Sequence, residues 1–167
     1  MNDEVSAGTR AMSSTPALRA LAALGIEVTL HPYAYDPKAD STGLHAAEAL
    51  GIDPSVMLKT LMVEVDGKPA CCVIPSDRQL SMKRVAAAFG GKSAAMMPVP
   101  KAEKLTGYHV GGISPFGQKR TVPTAIEVGA CTAPQVWINA GQRGLLVSLS
   151  PAAALTALGA KAAALTA

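Results

Sequence analysis

The sequence is poor in aromatic and charged residues. Among its 167 residues, aromatic side chains make up 4% and charged side chains 16%. So few aromatic rings exclude a surface that binds single-stranded nucleic acid by stacking a series of bases. The net charge of +3 is too small for tight binding to a polyanion without help from another partner. Because the Lys and Arg residues are also scattered along the chain, we expect no specific binding to DNA.

Long apolar runs are absent as well. No stretch approaches the roughly 18 apolar residues of a membrane span, and residues 1–14 lack the basic start and apolar run of a signal peptide. We therefore expect residues 1–14 to form a flexible leader, and we expect no attachment to a membrane.

The chain has three cysteines, which is an odd number. Cys71 and Cys72 are adjacent, and Cys131 is isolated. Because neighbouring residues of a strand point to opposite faces, the adjacent pair is poorly placed for a mutual disulfide or a shared metal ion. The simplest interpretation is three free thiols in a reducing cytoplasm.

Common motifs of catalytic nucleophiles and metal sites are missing. The sequence contains no G-x-S-x-G motif, and its cysteines have no basic helix terminus beside them to activate a thiol. His31, His45 and His109 show no H-E-x-x-H or comparable spacing. We therefore predict neither a metal site nor a cofactor.

The residues that are present favour one α/β domain over residues 15–167. Apolar residues make up 49% of the chain, which argues against disorder. The pattern predicts about five helices and six or seven strands in alternating blocks, with no internal repeat or linker. Hairpins after the strands at 56–65 and 135–139 require antiparallel pairs, so the sheet is mixed. Predicted helices begin near Thr15, Ser41 or Thr42, Ser81, Pro98 and Ser150; predicted strands cover 26–31, 56–65, 69–74, 121–127, 135–139 and 145–149.

One lysine interrupts the apolar face of the strand at 56–65. Alternation along a strand places Lys59 on the same face as Met57, Leu61, Val63 and Val65. A charge on such a face is costly unless it is paired or opens into a cavity. Either Lys59 lies near the strand end and extends into water, or it lines a pocket for an electron-rich ligand.

Two further stretches are candidates for a binding site. Residues 107–119, G-Y-H-V-G-G-I-S-P-F-G-Q-K, contain four glycines, and exposed amides in such a loop can hold an anion or an oxyanion. The alternative is a glycine-rich turn between packed elements, and the Ser114-Pro115 corner fits either interpretation. In H-P-Y-A-Y-D-P, Tyr33 and Tyr35 lie on the same side of an extended segment, where one could wall a pocket or both could belong to the core.

Several of these motifs together resemble the YbaK/EbsC family, which is related to the editing domain inserted in bacterial prolyl-tRNA synthetases. The motifs are T-P-A-L-R-A-L, H-P-Y-A-Y-D-P, L-G-I-D-P followed by K-T-L, G-G-I-S-P-F-G-Q-K and the late G-Q-R-G. The likeness spans residues 15–163 and is greatest for the free-standing YbaK branch, which hydrolyses Cys-tRNA(Pro) made in error by prolyl-tRNA synthetase.

The resemblance implies a barrel-like mixed sheet flanked by helices, and a cytoplasmic trans-editing deacylase without a protein nucleophile. A thiol or hydroxyl of the substrate assists attack on the ester, while the enzyme supplies positioning and charge stabilisation. The implied partners are the 3′ end of mischarged tRNA(Pro) and prolyl-tRNA synthetase. By the same resemblance, the catalytic residues are Lys59 and Gly111. The implied substrate-binding residues are Tyr33, Thr60, Gly112, Ser114 and Asn139.

Three positions depart from the YbaK pattern. Asn139 stands where a functional serine is expected, Thr42 where a bulky aromatic residue is expected, and Leu146 where an acidic residue is frequent. All three are expected near the pocket, so the amino acid removed is open. Sister branches remove Ser, Thr, Ala or 2-aminobutyrate, and a non-catalytic module that binds a nucleotide or a tRNA end is a further alternative.

Overall fold

The computed structural model describes residues 15–39 and 41–167. The predicted leader, residues 1–14, lies outside the described residues. Within the described part, five α-helices and one 3-10 helix accompany eight strands. The helices are α1 (Pro16–Ala23), α2 (Thr42–Leu50), α3 (Met82–Ala88), α4 (Val99–Thr106), α5 (Pro151–Leu158) and the 3-10 helix Val128–Thr132. The strands are β1 (Thr29–Pro32), β2 (Leu58–Val65), β3 (Lys68–Pro75), β4 (Ala94–Met96), β5 (Thr124–Glu127), β6 (Val136–Gln142), β7 (Leu145–Leu149) and β8 (Lys161–Ala163).

Hydroxyl side chains begin four of the helices. Thr15, Ser41, Ser81 and Ser150 each accept a hydrogen bond from the backbone N–H three residues further on. Each bond satisfies one of the N–H groups that a helix start leaves free. For α2 this decides between the two predicted caps in favour of Ser41. The cap matters for the site, because it sets where the first turn of α2 begins.

The strands form two sheets. One has the order β4-β2-β3-β5-β8 and is mixed, since β2 pairs antiparallel with β3 and β4, whereas β5 pairs parallel with β3 and β8. The other is the antiparallel sheet β1-β7-β6. A parallel bridge from Met57 to Trp137 joins them. The predicted mixed α/β domain is confirmed, with two adjoining sheets in place of a closed barrel.

The β2–β3 hairpin divides the core. Asp66 and Gly67 form its turn with φ of 49° and 81°, the left-handed values that a tight hairpin needs. One face of β2 packs Leu58 and Met62 into the main core, and the other packs Val63 into a second cluster beneath α3. This alternation agrees with the predicted two faces of the strand.

A third, smaller cluster lies under α2. It contains Ala46 and Ala47 of the helix, Met57 before β2, and Leu146 of β7. The start of β2, the first turn of α2 and the edge of the second sheet therefore meet at one place. Among the described residues, no helix is both long enough and apolar enough to cross a membrane.

Two strands lie outside the predicted set. β4 is an edge strand of three residues that pairs with β2, and β8 falls in the alanine-rich tail and pairs with β5. β6 also continues to Gln142, through an irregularity after Asn139, where the sequence predicts that the turn has already begun. For β4 and β8, pairing with a distant segment decides the structure of residues whose own strand preference is weak, whereas the end of β6 pairs across the hairpin turn, Gln142 with Leu145.

Candidate active site

A cavity of about 200 Å³ opens where the two sheets meet under α2. Its walls come from five segments of the chain that are far apart in sequence. They are Tyr33; Ser41, Thr42, Gly43 and Ala46; Met57, Leu58, Lys59, Thr60 and Leu61; Val110, Gly111 and Ile113; and Asn139 and Leu146.

Lys59 brings a cation into this cavity. It lies near the beginning of β2, opposite Ile74 of β3, and its side chain is half-buried. Burial lowers the pKa of the Lys59 ammonium, and the carboxylate of Asp77 only partly opposes that effect. Lys59 forms no salt bridge within the part of the chain that the structure describes. Of the two predicted placements, the structure therefore has the lysine that lines a pocket.

Two hydroxyl groups of the same cavity have no hydrogen-bond partner. The Tyr33 Oη and Thr60 Oγ1 atoms are both buried, and neither bonds to any residue in 15–39 or 41–167. Leaving a buried polar atom unpaired costs free energy, so such atoms need an explanation. Both residues line the cavity beside Lys59.

Residues 107–119, the glycine loop, contribute Val110, Gly111 and Ile113 to the cavity wall. Gly111 has φ of +88°, and a Cβ atom built on it would lie 2.9 Å from the Tyr35 Oη atom, so this position favours glycine. Gly112 lies behind Gly111: its N–H donates to the His109 carbonyl at 2.8 Å. A Cβ on Gly112 would lie 3.0 Å from the Arg143 nitrogen. Both glycines thus permit a close approach of the loop to its neighbours.

Asn139 connects the glycine loop to the second sheet. Its Nδ2 atom donates to the Gly111 carbonyl at 3.1 Å. Its Oδ1 atom accepts from the N–H of Gly141 at 2.7 Å and of Gln142 at 3.3 Å. Both ends of the amide are therefore engaged within the protein, although the side chain lines the cavity.

Gly112 and Ser114 are the two predicted site residues that do not line the cavity. Ser114 is fully buried, and its Oγ atom accepts a hydrogen bond from the Phe116 N–H at 3.1 Å. The Ser114 side chain thus shapes the loop behind the cavity, because a hydroxyl enclosed in this way cannot touch a ligand between Lys59 and Gly111.

The cavity also contains residues that sequence reasoning missed. Ala46, Met57, Leu58, Ile113 and Leu61 give it a largely apolar surface. Met57 and Leu61 share the strand face of Lys59 by alternation, a signal that could have found them. Ala46, Leu58 and Ile113 are indistinguishable in the sequence from other core residues. By contrast, Thr42 and Leu146, which depart from the family pattern, both line the cavity as expected.

Two larger cavities have fewer side chains that could bind a ligand or take part in a reaction. One of about 230 Å³ lies between α1, α5 and the end of the glycine loop, and no charged side chain lines it. Another of about 370 Å³ contains Asp77, Arg78 and Glu127, but the Glu127 carboxylate already accepts hydrogen bonds from three backbone amides. Neither holds an unpartnered buried polar atom among the described residues, so the Lys59 cavity is the candidate active site.

Comparisons with known proteins identify the family of this chain. A family model described as an aminoacyl-tRNA editing domain matches residues 37–157. A relative from Enterococcus faecalis, EbsC, is named as a Cys-tRNA(Pro)/Cys-tRNA(Cys) deacylase, and it is 38% identical over 112 residues, 66% of this chain and 68% of EbsC. A proline–tRNA ligase from Maridesulfovibrio salexigens is 32% identical over 72 residues, 43% of this chain and 12% of the ligase.

Solved structures share the fold at lower identity. A crystal structure named as that of a trans-editing enzyme for prolyl-tRNA synthetase superposes with a TM-score of 0.79 at 22% identity, covering 91% of this chain and 95% of that one. A hypothetical protein, APE2540, gives a TM-score of 0.79 at 24% identity, covering 91% and 99%.

The family model covers well over half of the chain, and the Enterococcus faecalis relative aligns over two thirds of its own length. This chain therefore belongs to the aminoacyl-tRNA editing domain family.

Proposed function

We propose that this protein is a trans-editing deacylase that hydrolyses the ester of a mischarged tRNA(Pro), with Cys-tRNA(Pro) as the first candidate. One observation carries the proposal: a half-buried lysine and two unpartnered buried hydroxyls share one small cavity with Gly111. Membership of the aminoacyl-tRNA editing domain family supports the reaction type. The name of EbsC supports cysteine as the amino acid.

In this account the 3′ adenosine of the tRNA enters with its aminoacyl group. The Lys59 ammonium binds the terminal phosphate or the ester oxygen, and the Gly111 N–H donates to the carbonyl oxygen as negative charge develops there. Water adds to the carbonyl carbon, the bond to the ribose oxygen breaks, and the free amino acid and the tRNA 3′ hydroxyl leave. A thiol or hydroxyl of the substrate assists this attack.

The Ser41 hydroxyl is poorly suited to be a nucleophile. Ser41 lines the cavity, but its Oγ atom accepts the capping hydrogen bond from the Leu44 N–H. The nearby His45 ring nitrogen bonds instead to the Ala34 carbonyl at 2.9 Å. With Ser41 engaged in this way, the account keeps the substrate-assisted chemistry that the family resemblance implies, in which Lys59, Thr60 and Tyr33 position the ester.

The cavity walls bear on which amino acid is removed. A volume of about 200 Å³ has room for a small side chain, and Thr42, Asn139 and Leu146 replace the residues of the YbaK pattern at its walls. A deacylase for Ser-, Thr-, Ala- or 2-aminobutyryl-tRNA is therefore the second candidate. Both candidates share the same reaction and the same use of Lys59.

Recruitment by prolyl-tRNA synthetase completes the proposal. A net charge of +3 provides little electrostatic affinity for tRNA by itself. An enzyme that removes errors of prolyl-tRNA synthetase in the cytoplasm gains by binding next to that synthetase. The match of one proline–tRNA ligase to 43% of this chain supports a relation to such synthetases. A pull-down of the synthetase from purified components tests this part alone.

A deacylation panel tests the function. Cys-, Ala-, Ser-, Thr- and Pro-tRNA(Pro) are each incubated with the wild type and with Asn139→Ser, and the remaining ester is measured against an enzyme-free control. We expect faster loss of Cys-tRNA(Pro) than of Pro-tRNA(Pro). Faster loss of another ester would assign the second candidate. Retention of all five esters, together with saturable binding of charged tRNA, would replace the deacylase with a non-catalytic binding module.

A further inference from the structure

The glycine loop is held from outside the cavity by side chains of two neighbouring elements. The Val110 N–H donates to the Glu103 Oε2 atom of α4 at 2.9 Å. The Val110 carbonyl accepts from the Nε atom of Arg143 at 2.9 Å, and Arg143 lies in the turn between β6 and β7. The direction of the peptide that follows Val110 is therefore set by residues outside the cavity.

The peptide that joins Val110 to Gly111 has two polar ends. Its carbonyl belongs to Val110 and its N–H belongs to Gly111, and in a trans peptide these two groups point in opposite directions; no peptide among the described residues is cis. When Arg143 holds the carbonyl on the exposed side, the Gly111 N–H must point away from Arg143. This N–H has no protein acceptor within the described residues, so it is available to a ligand.

Tyr35 supports the guanidinium group of Arg143. The Arg143 Cζ atom lies 5.4 Å from the centroid of the Tyr35 ring, within the range of a cation–π contact. A Cβ atom on Gly111 would lie 2.9 Å from the Tyr35 Oη atom and 3.4 Å from the Arg143 Nε atom. The pair thus packs directly against the Gly111 Cα atom, and it controls both the position and the orientation of this residue.

From these contacts we infer that Arg143, supported by Tyr35, is a positioning residue that turns the Gly111 N–H toward the carbonyl of the bound ester. The inference rests on the proposed function, since it concerns the donor that the deacylase would use. An exposed arginine at the edge of a site invites another explanation, namely direct contact with a phosphate of the tRNA. The two roles predict different kinetics.

Kinetic constants separate the two roles. For Arg143→Met we expect kcat for the preferred ester to fall by up to roughly 100-fold, as misplaced catalytic groups do, while KM and its salt dependence stay within twofold of the wild type. Arg143→Lys should recover little of the lost kcat, because an ammonium lacks the planar guanidinium group that can donate to a carbonyl and stack on a ring at the same time.

The matched control is Arg120→Met, which removes an exposed arginine whose side chain makes no hydrogen bond to a described residue. Unchanged kcat would overturn the inference, as would a raised KM with a weaker salt dependence that Arg143→Lys restores.

Tyr35→Leu and the double variant test the coupling. If both residues act on one peptide, the loss in kcat of the double variant is smaller than the product of the two single losses. Independent, multiplicative losses would remove Tyr35 from the account.

A measurement without substrate keeps the inference separate from the proposed function. Residual dipolar couplings report the direction of each N–H bond in the free protein. We expect the Gly111 coupling to change in Arg143→Met, while the couplings of β2 and β3 stay as in the wild type, and we expect Arg120→Met to change neither set. An unchanged Gly111 coupling would refute the positioning role. A wild type that hydrolyses no ester would refute the proposed function and leave the coupling result intact.

Discussion

Asn139 holds Gly111 through a hydrogen bond from its Nδ2 atom to the glycine carbonyl, at 3.1 Å. The two residues are far apart in sequence, and this bond ties the glycine loop to the irregular end of β6. Because the other end of the Asn139 amide accepts from Gly141, the side chain connects two backbone segments at the cavity wall. Its role is thus to support the loop as much as to face a ligand.

Replacing this amide should loosen both segments. In Asn139→Leu the new side chain is similar in size to asparagine, but it can neither donate to the Gly111 carbonyl nor accept from the Gly141 N–H. An unsatisfied group costs about 1–3 kcal/mol when it is fully buried, and these bonds are half-buried, so we expect a loss of about 1 kcal/mol, which lowers the melting temperature of a protein of this size by roughly 2–4 °C. Gln142→Leu in the same turn, at an exposed position, is the control. Equal melting temperatures for both variants would contradict the supporting role.

Because the Thr60 hydroxyl has no partner, its removal should slow deacylation without lowering the stability of the protein. Thr60→Val removes a buried polar atom that has no partner in the described residues, so the melting temperature should stay the same or rise, while deacylation slows. The control is Thr106→Val: the Thr106 hydroxyl is also buried but donates to the Ala102 carbonyl at 2.8 Å and accepts from the Tyr108 N–H at 3.1 Å. That variant should melt lower. A stability loss in Thr60→Val equal to that in Thr106→Val would show that the Thr60 hydroxyl has a partner within the protein.

Lys59 should destabilise the folded protein. Burial depresses the pKa of its ammonium in the folded state, so folding disfavours the charged form at every pH below the folded-state pKa. Lys59→Met should therefore melt higher than the wild type at neutral pH. This gain in stability over the wild type should shrink as the pH rises from the folded-state pKa of Lys59 to its unfolded-state pKa, because the wild-type lysine becomes neutral. Lys83→Met, on the exposed face of α3, should show no such gain; a Lys59→Met protein that melts lower would mean that the ammonium is paired in the fold.

Glu127 should make the fold sensitive to acid. Burial raises the pKa of the Glu127 carboxyl, but hydrogen bonds from the N–H groups of Leu165, Gly129 and Thr166 outweigh burial and hold the pKa below its ordinary value of 4.5. A depressed carboxyl pKa stabilises the fold above the unfolded-state pKa, and this stability is lost as the pH falls through the folded-state pKa. Glu127→Gln should melt lower than the wild type at pH 7, with a difference of about 2 kcal/mol in unfolding free energy.

The pH series provides the check on Glu127. The unfolding free energies of Glu127→Gln and the wild type should approach each other below pH 4.5, because the wild-type carboxyl then takes up a proton. Glu48→Gln, at an exposed position of α2, should match the wild type throughout. A Glu127→Gln difference that is the same at pH 3 and pH 7 would contradict the assigned charge state.

Local signals in the sequence were sufficient for much of the fold. Asp66-Gly67 specifies a hairpin turn by its own backbone preference, and the hydroxyl caps specify helix starts. β8 could not be found in this way, because Lys161–Ala163 is composed of residues with low strand preference and becomes a strand by pairing with β5. The division into two sheets likewise depends on contacts between distant segments.

The candidate site shows the same division. Alternation along β2 pointed to Lys59, and the residue pattern also made Tyr33 and the glycine-rich stretch candidates. The family resemblance singled out Gly111 within that stretch and added Thr60 and Asn139. All five residues line one cavity. Arg143 acts through a backbone carbonyl, and such a bond leaves no pattern of residue types in a single sequence. Ser114 shares the glycine-rich block with Gly111, but the chain turns inward between them and buries the serine.

The most direct test of the account is the single-turnover rate at which Lys59→Ala hydrolyses the ester that the wild type prefers, measured with enzyme in excess over charged tRNA. The account predicts that the rate falls to that of the enzyme-free ester, while circular dichroism shows a folded variant. A Lys59→Ala protein that hydrolyses the ester as fast as the wild type would contradict the central role of this lysine.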